Sequence, residues 1–402
     1  MVVKAVIGAN YGDEGKGLMT DYFCHQALLE NKTCLNVLTN GGAQRGHTVV
    51  KGDKRHVFHH FGSGTFSNAT TYISKQFIVN PMIFMQELKE LNKLQCKPKV
   101  IIDDHCSVST PYDMMFNQIM LEQTGKHNSC GLGIWETKLR QSRYYYPRYG
   151  LLVNLNDKSI SNYLRYIRDD YYKERFEEEN IDIPSDWKAV FYSHNIIEHY
   201  ISDLRAIQNS TRAVNDSYKL YYEYDYAVFE NAQGLLLDSE LDEDYGTPSR
   251  TGCVAIQKEL SNEGIKSLIT DMELCYVSRK YLTRHGDGPF PEECDKSELG
   301  NDIEDNTNVY NECQGHLRYG RLDVDKLYAR IEKDIKSSKL NPQKVSLALT
   351  HTDQHVKISS DFMLFFLTFN YISGHPDSNF VIDLDHPERY SSEKLNVFCN
   401  RI

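Results

Sequence analysis

The chain has 402 residues, a formal net charge of −11, 40% hydrophobic residues and 25% charged ones, so it can bury a core and keep a solvated surface. The acidic balance argues against a general nucleic-acid-binding face, which needs basic charge, but not against nucleotide binding, which needs only local positive groups. No apolar run approaches the roughly 20 residues of a membrane helix, no leader pattern opens the chain, and the ten cysteines stand singly without C-x-x-C spacing, which predicts reduced thiols in a cytoplasmic protein.

A short apolar, β-branched run beginning at Val2 predicts a buried strand. It breaks at residues 10–17 into Asn-Tyr-Gly-Asp-Glu-Gly-Lys-Gly, and residues 18–29 take helical spacing. By this arrangement α/β proteins offer backbone N–H groups and a helix N-terminus to phosphate. The loop is not a Walker A motif: Asn10 stands where the first glycine belongs and Gly17 where the hydroxyl belongs. Asp13 puts an acid inside a phosphate loop. Two negative groups repel there unless a cation lies between them or the acid serves as a base, and both readings point to chemistry. A second strand over residues 33–38 runs into Thr-Asn-Gly-Gly-Ala-Gln-Arg-Gly-His-Thr at 39–48. This predicts another tight loop at a carboxyl edge, where open α/β sheets bind ligands. His47 in that loop can carry a proton or stabilise negative charge.

Further along, residues 74–79 and 99–103 read as strands around a helix at 81–91, with Met82, Phe84, Met85 and Leu88 on one face. Residues 155–225 are charged and tyrosine-rich, which predicts exposed helices beside the sheet. Their charge run, including Arg165, Arg168, Lys173, Glu174 and Arg175, reads as a solvated face. Residues 227–229 and 234–237 flank Glu-Asn-Ala-Gln, again strand then loop. Residues 292–307 are acidic and apolar-poor, 345–350 read as a late buried strand, and 357–371 as an aromatic-rich helix. The βαβα rhythm predicts an α/β fold. The expectation is a single large domain, residues 1–402, around a mostly parallel central sheet with a P-loop-like phosphate loop and helices on both faces. A helical excursion at 155–225 and a loop insertion at 292–307 complete it.

The 10–17 loop, together with Gly46-His47-Thr48, closely resembles the adenylosuccinate synthetases. Their signature is Gly-Asp-Glu-Gly-Lys-Gly followed by Gly-Gly-His-Asn-Ala-Gly-His-Thr. The first loop matches in full, and the second departs where Ala43-Gln44-Arg45 replaces His-Asn-Ala. In order down the chain, residues 230–234 resemble the family's Glu-Gly-Ala-Gln-Gly, 286–291 its Gly-Ala-Gly-Pro-Phe-Pro, and 349–353 its Leu-Thr-Lys-x-Asp. The resemblance implies a ligase that joins L-aspartate to C6 of IMP with GTP hydrolysis, through a 6-phosphoryl intermediate, giving adenylosuccinate. O6 is a poor nucleophile until N1–H loses its proton, and a poor leaving group until it is phosphorylated.

The resemblance also implies roles for residues. Asp13 is the catalytic base and a Mg²⁺ ligand, with the Gly46 carbonyl as a second ligand. His47 stabilises the migrating phosphoryl group. Gly12, Glu14, Gly15, Lys16, Gly17, Gly46 and Thr48 contact nucleotide phosphates, and His351 and Asp353 contact the nucleotide base. Ser129, Gly131, Arg148 and Gln233 hold the purine monophosphate, with Arg148 reaching across a homodimer interface. Gln314, His316 and Arg318 take the amino acid. In this last segment His316 replaces a family arginine, which weakens dicarboxylate binding by roughly 1.5–3 kcal/mol. The amine therefore stays open between aspartate and another donor. His351 replaces a lysine, so GTP and ATP both stay open. Phage relatives that act on dGMP lose the carboxylate at the position of Asp13, and its presence here favours hypoxanthine. A nucleotide-binding sensor with lost ligase activity is the remaining reading. The partners expected are small molecules and a second copy of the chain.

Overall fold

Val3, Ala5 and Ile7 point to one side of the first strand, Val2–Gly8, and Val6 to the other, and all four are fully buried. A strand apolar on both faces belongs inside a sheet covered on both sides. The computed structural model describes residues 1–125, 129–143, 146–240, 246–301, 303–305, 308, 310, 312–354, 356 and 369–390. Among them a ten-stranded sheet runs in the order Ile382–Asp383, Tyr371–Ile372, Lys344–Leu349, Asp271–Ser278, Val2–Gly8, Tyr226–Gly234, Cys34–Leu38, Thr70–Ile73, Val100–Asp103, Arg212–Val214. Every neighbouring pair is parallel except Tyr371–Ile372 with Ile382–Asp383. The helix Lys16–Leu29 covers one face, packing Leu18, Met19, Phe23 and Ala27 on Val6, Val228 and Val277. Cys253–Glu259 and Val324–Ser337 cover the other, with Ile256, Leu327 and Ile331 against Val3, Ala5 and Ile7. The mostly parallel sheet with helices on both faces is thus as expected.

Several local expectations need correction. The strand expected at 74–79 is displaced and broken. Thr70–Ile73 enters the sheet, the Phe77 N–H donates to the Ser74 carbonyl in a turn, and only Ile78–Val79 is extended, paired with Ser107–Val108. Ser74 makes that turn by donating its hydroxyl to the Thr39 carbonyl (3.3 Å) and accepting from the Gln76 N–H. The excursion at 155–225 is helical, with Asp157–Tyr166, Tyr172–Glu179, Ser185–Phe191 and His194–Ser210. It is not simply an exposed layer. Ile160, Leu164, Tyr172, Phe176, Tyr200 and Leu204 are buried in one cluster with Phe116. Tyrosine permits this because the ring is buried while the hydroxyl is satisfied: Tyr200 donates to the Ser109 carbonyl (3.0 Å) and Tyr172 to Asp113 (2.5 Å). Nor is the whole charge run solvated, since Arg175 is buried and paired with Glu136 at 3.2 Å. Within 292–307 a short capped helix, Lys296–Leu299, forms, and Asp305 pairs with buried Arg279 at 2.9 Å. The helix expected at 357–371 falls mostly outside the described residues, and its end is the strand Tyr371–Ile372. The nine described cysteines are free thiols. No described helix is long and apolar enough to cross a membrane.

Candidate active site

Parallel strands bring their carboxyl ends to one edge, so the segments leaving Val2–Gly8, Cys34–Leu38, Tyr226–Gly234 and Lys344–Leu349 meet there. The contacts are too close for side chains at several glycines. A Cβ on Gly8 would lie 2.6 Å from Glu14 Oε2, 2.7 Å from the Gln233 carbonyl and 2.9 Å from Lys16 Nζ. One on Gly17 would lie 3.1 Å from His47 Cβ, and one on Gly15 would lie 3.0 Å from Thr350 Cγ2. The second loop reaches further. A Cβ on Gly41 would lie 2.9 Å from Ala232 Cβ, and one on Gly42 would lie 2.8 Å from Ile134 Cδ1, beside the 129–133 segment. Asp13, Gln233 and His351 all adopt left-handed backbone, at φ 62°, 60° and 55°. Such strain in non-glycine residues gathers at functional sites.

In the first loop, Gly15 precedes the helix Lys16–Leu29 with no side-chain cap, so the first-turn N–H groups face the loop uncapped. Glu14 turns inward. Its Oε1 accepts from the Asn10 and Gly12 N–H groups, both at 2.9 Å, and its Oε2 pairs with Lys16 Nζ at 3.0 Å. The second acid of the loop is thereby neutralised. Thr350 donates its hydroxyl to the Glu14 carbonyl (2.7 Å), and Arg279 Nε donates to the Asp13 carbonyl (2.6 Å). The Asp13 carboxylate, 25% exposed, faces His285, with Oδ2 to Nε2 at 3.5 Å.

His47 donates from Nδ1 to Glu230 Oε1 at 2.6 Å. Glu230 is fully buried. It also accepts from Asn36 Nδ2 (3.1 Å) and the Ser63 N–H (3.0 Å) and hydroxyl, and it pairs with Arg45 at 3.1 Å. Burial alone would raise its carboxyl, but Arg45, then His47 and Ser63, carry it well below the usual range. Burial, then Arg45, push His47 down to about 4 against the pull of Glu230. His47 is therefore a neutral imidazole at pH 7. Its Nδ1–H is fixed on Glu230, which leaves Nε2 as the acceptor.

The other expected residues are placed as follows. Gly46 is exposed at the tip of its loop, and Thr48 lies in the strand His47–Lys51 with its hydroxyl oxygen buried and unpartnered. Gln233 Oε1 and both amide atoms of Gln44 are likewise buried without partners, as befits groups that await a polar ligand. Ser129 donates to Asn117 (2.9 Å), and a Cβ on Gly131 would lie 3.0 Å from Cys313 Sγ, which brings the 129–133 segment beside Gln314. His351 donates from Nδ1–H to the Thr350 hydroxyl oxygen at 2.8 Å, and burial, then Arg279, hold the imidazole neutral. Asp353 is exposed. Three residues do not converge with the rest. Arg148 is exposed and donates to Ser107. His316 is exposed against Tyr310. Arg318 is spent on Glu293 (2.8 Å) and on the carbonyls of Gly286 and Gly288 (3.1 and 2.9 Å). Sequence reasoning missed Arg45, Glu230, Arg279 and His285 as site residues. A signal existed for Glu230, a lone acid directly after the apolar run 227–229.

Among the described residues no three His, Cys, Asp or Glu side chains form a metal cluster. A Mg²⁺ ion takes few protein ligands and several from substrate phosphates. Among the described residues Asp13 is the carboxylate of the loop that forms no ion pair with Lys or Arg, and it fits that need.

Comparison with known proteins agrees with this geometry. The family profile described as adenylosuccinate synthetase matches residues 5–354. The adenylosuccinate synthetase of Borrelia recurrentis (strain A1) is 27% identical over 371 residues, covering 88% of this chain and 77% of the relative. The fully ligated adenylosuccinate synthetase of Plasmodium falciparum superposes with a TM-score of 0.63 at 20% identity, over 88% of this chain and 77% of that one. The succinoaminodeoxyadenylate synthetase of cyanophage S-2L, solved with dGMP and dATP, superposes with a TM-score of 0.67 at 14% identity, over 100% and 99%. A match to the profile across most of the chain, on a fold whose two glycine loops meet at one sheet edge, makes this protein a member of the adenylosuccinate synthetase family and a C–N ligase of purine-nucleotide metabolism.

Proposed function

We propose that the enzyme joins L-aspartate to C6 of IMP at the expense of GTP. The observation that carries this reading is the packing of Asp13 and His47 loops against each other and against Gln233. In this arrangement Asp13 removes the N1 proton of the purine, which makes O6 nucleophilic. The uncapped amides at the start of the helix Lys16–Leu29 and the Lys16 ammonium receive phosphate oxygens. Nucleotide phosphate has to displace Glu14 from the Asn10 and Gly12 amides to use them. His47, fixed by Glu230, offers Nε2 to the transferring group. Mg²⁺ would be held by Asp13 and the Gly46 carbonyl, and would neutralise charge on the phosphate oxygens. Gln233 holds the purine nucleotide, with Ser129 and Gly131 at its monophosphate. His351 and Asp353 meet the donor base. Arg148, exposed beside that region, serves the partner protomer of a homodimer. Gln314 faces the amine, and His316 and Arg318 join it only if His316 leaves Tyr310 and Glu293 releases Arg318.

A second reading keeps the chemistry and replaces IMP and GTP with dGMP and an adenine nucleotide. It is motivated by the end-to-end likeness to the cyanophage enzyme solved with those ligands. Retention of Asp13 favours the first reading. A panel of IMP and dGMP with GTP, ATP or dATP, read by mass spectrometry, tests both. Aspartyl transfer to IMP is expected, and a product from dGMP alone overturns the first reading for the second.

A further inference from the structure

We infer that His285 is the positioning residue for the Asp13 base, an inference that rests on the function proposed above. Its imidazole Nε2 stands 3.5 Å from Asp13 Oδ2. It has no other polar partner among the described residues, because Nδ1 is buried and unpaired. A structural histidine in a core satisfies both nitrogens. Among the described residues the only acceptor facing the ring is Asp13, so the proton sits on Nε2 and is directed at that carboxylate. The distance is long for a hydrogen bond, as is common for catalytic contacts before substrate tightens them.

The surrounding backbone is built to hold this imidazole still. His285 follows the strand Tyr281–Arg284, which pairs antiparallel with Arg318–Arg321. Arg284 donates to the carbonyls of Asp287 and Pro289 at 3.1 and 2.8 Å, and Arg318 to those of Gly286 and Gly288. The Gly286 N–H donates to the Gln314 carbonyl (3.2 Å). Two arginines thus staple a turn with left-handed glycines at 286 and 288 directly after the imidazole. On the facing side, Thr283 donates to the Gly12 carbonyl (3.3 Å) and Arg279 to that of Asp13. The ribbon that carries His285 is therefore bonded to the loop that carries the base. Asp13 itself lies in left-handed backbone on a glycine loop, where its carboxylate has several rotamers to choose from. His285 selects the one that faces the purine edge. The turn also joins the base to the 313–318 segment, so that proton removal and amine delivery share one rigid frame.

The test compares His285→Ala and His285→Gln with wild type in the ligation assay. His285→Ala is expected to lower kcat by about tenfold to a hundredfold, the cost of an ångström-scale misplacement, with the KM for purine nucleotide within about twofold of wild type. His285→Gln, which keeps a side-chain N–H donor, is expected to recover most of that loss. An unchanged kcat in His285→Ala, or a rise in KM alone, overturns the inference, as does a Gln variant no better than Ala. A separate arm needs no turnover and no His285 variant. In the full-length protein, Asp13→Asn is expected to move the imidazole ¹⁵N resonance of His285, and an unmoved resonance overturns the pairing. Wild-type protein that ligates no purine in the panel would instead overturn the proposed function, while the resonance still reports on the pair.

Discussion

Asp13 and His47 differ in how much of their setting a sequence displays. Asp13 was legible because an acid within a glycine loop has few reasons to be there. Asp13→Ala is expected to abolish ligation while nucleotide Kd, measured by calorimetry, stays within a few fold. His47 was legible as a residue but not as a state. What keeps it neutral is burial and then Arg45, a side chain that is itself fully buried, donates to the carbonyls of His59 and Phe61 at 3.1 and 2.8 Å, and neutralises Glu230. Arg45 occupies a place where the family motif has a small residue, so the motif hides it. Glu230→Gln leaves the Arg45 charge buried without its counter-ion. The expected loss of stability is about 3–5 kcal/mol, read from urea unfolding. His285 carried no signal at all, because its significance lies in Asp13, far away along the chain.

At the level of elements, apolar β-branched runs located the central strands well, since a strand buried on both faces has to be apolar throughout. Failures fell where polarity and burial part company. The tyrosine-rich helices of 155–210 look solvated in sequence, yet they bury rings under satisfied hydroxyls. The strand at 74–79 was misjudged because Ser74 closes a turn with its own hydroxyl. The turn of the strand Tyr226–Gly234 against the first loop is a tightly constrained junction of backbone on backbone. A Cβ on Gly234 would collide with the Asn10 carbonyl and lie 2.8 Å from the Gly12 N–H. Its φ of −136° suits any residue, so the demand is for space alone. Gly234→Ala is expected to cost about 1–3 kcal/mol of stability and to weaken nucleotide binding more than tenfold. A titration of the variant that matches wild type would refute this.

For the whole molecule, two buried groups pull stability in opposite directions with pH. His47 titrates near 4 when folded and near 6.5 when unfolded. Its contribution is present above about pH 6.5 and is lost as pH falls toward 4. Burial, with Asp103 nearby, raises Glu259 to about 7, against about 4.3 unfolded. Its contribution is full at acid pH and is lost as pH rises through 7. Glu259→Gln is thus expected to raise the unfolding free energy at pH 8, by at most about 4 kcal/mol, seen as a higher urea midpoint, and to leave the midpoint unchanged at pH 4. Equal midpoints at pH 8 would refute the assignment. The order of strands has a further effect. Val2–Gly8 is hydrogen-bonded only to Tyr226–Gly234 and Asp271–Ser278 within the sheet. During synthesis, Val2–Gly8 waits for residues 226 and beyond before either flank is filled. A nascent chain halted short of residue 226 carries a bare apolar strand with two open edges, the kind of surface that recruits chaperones or aggregates.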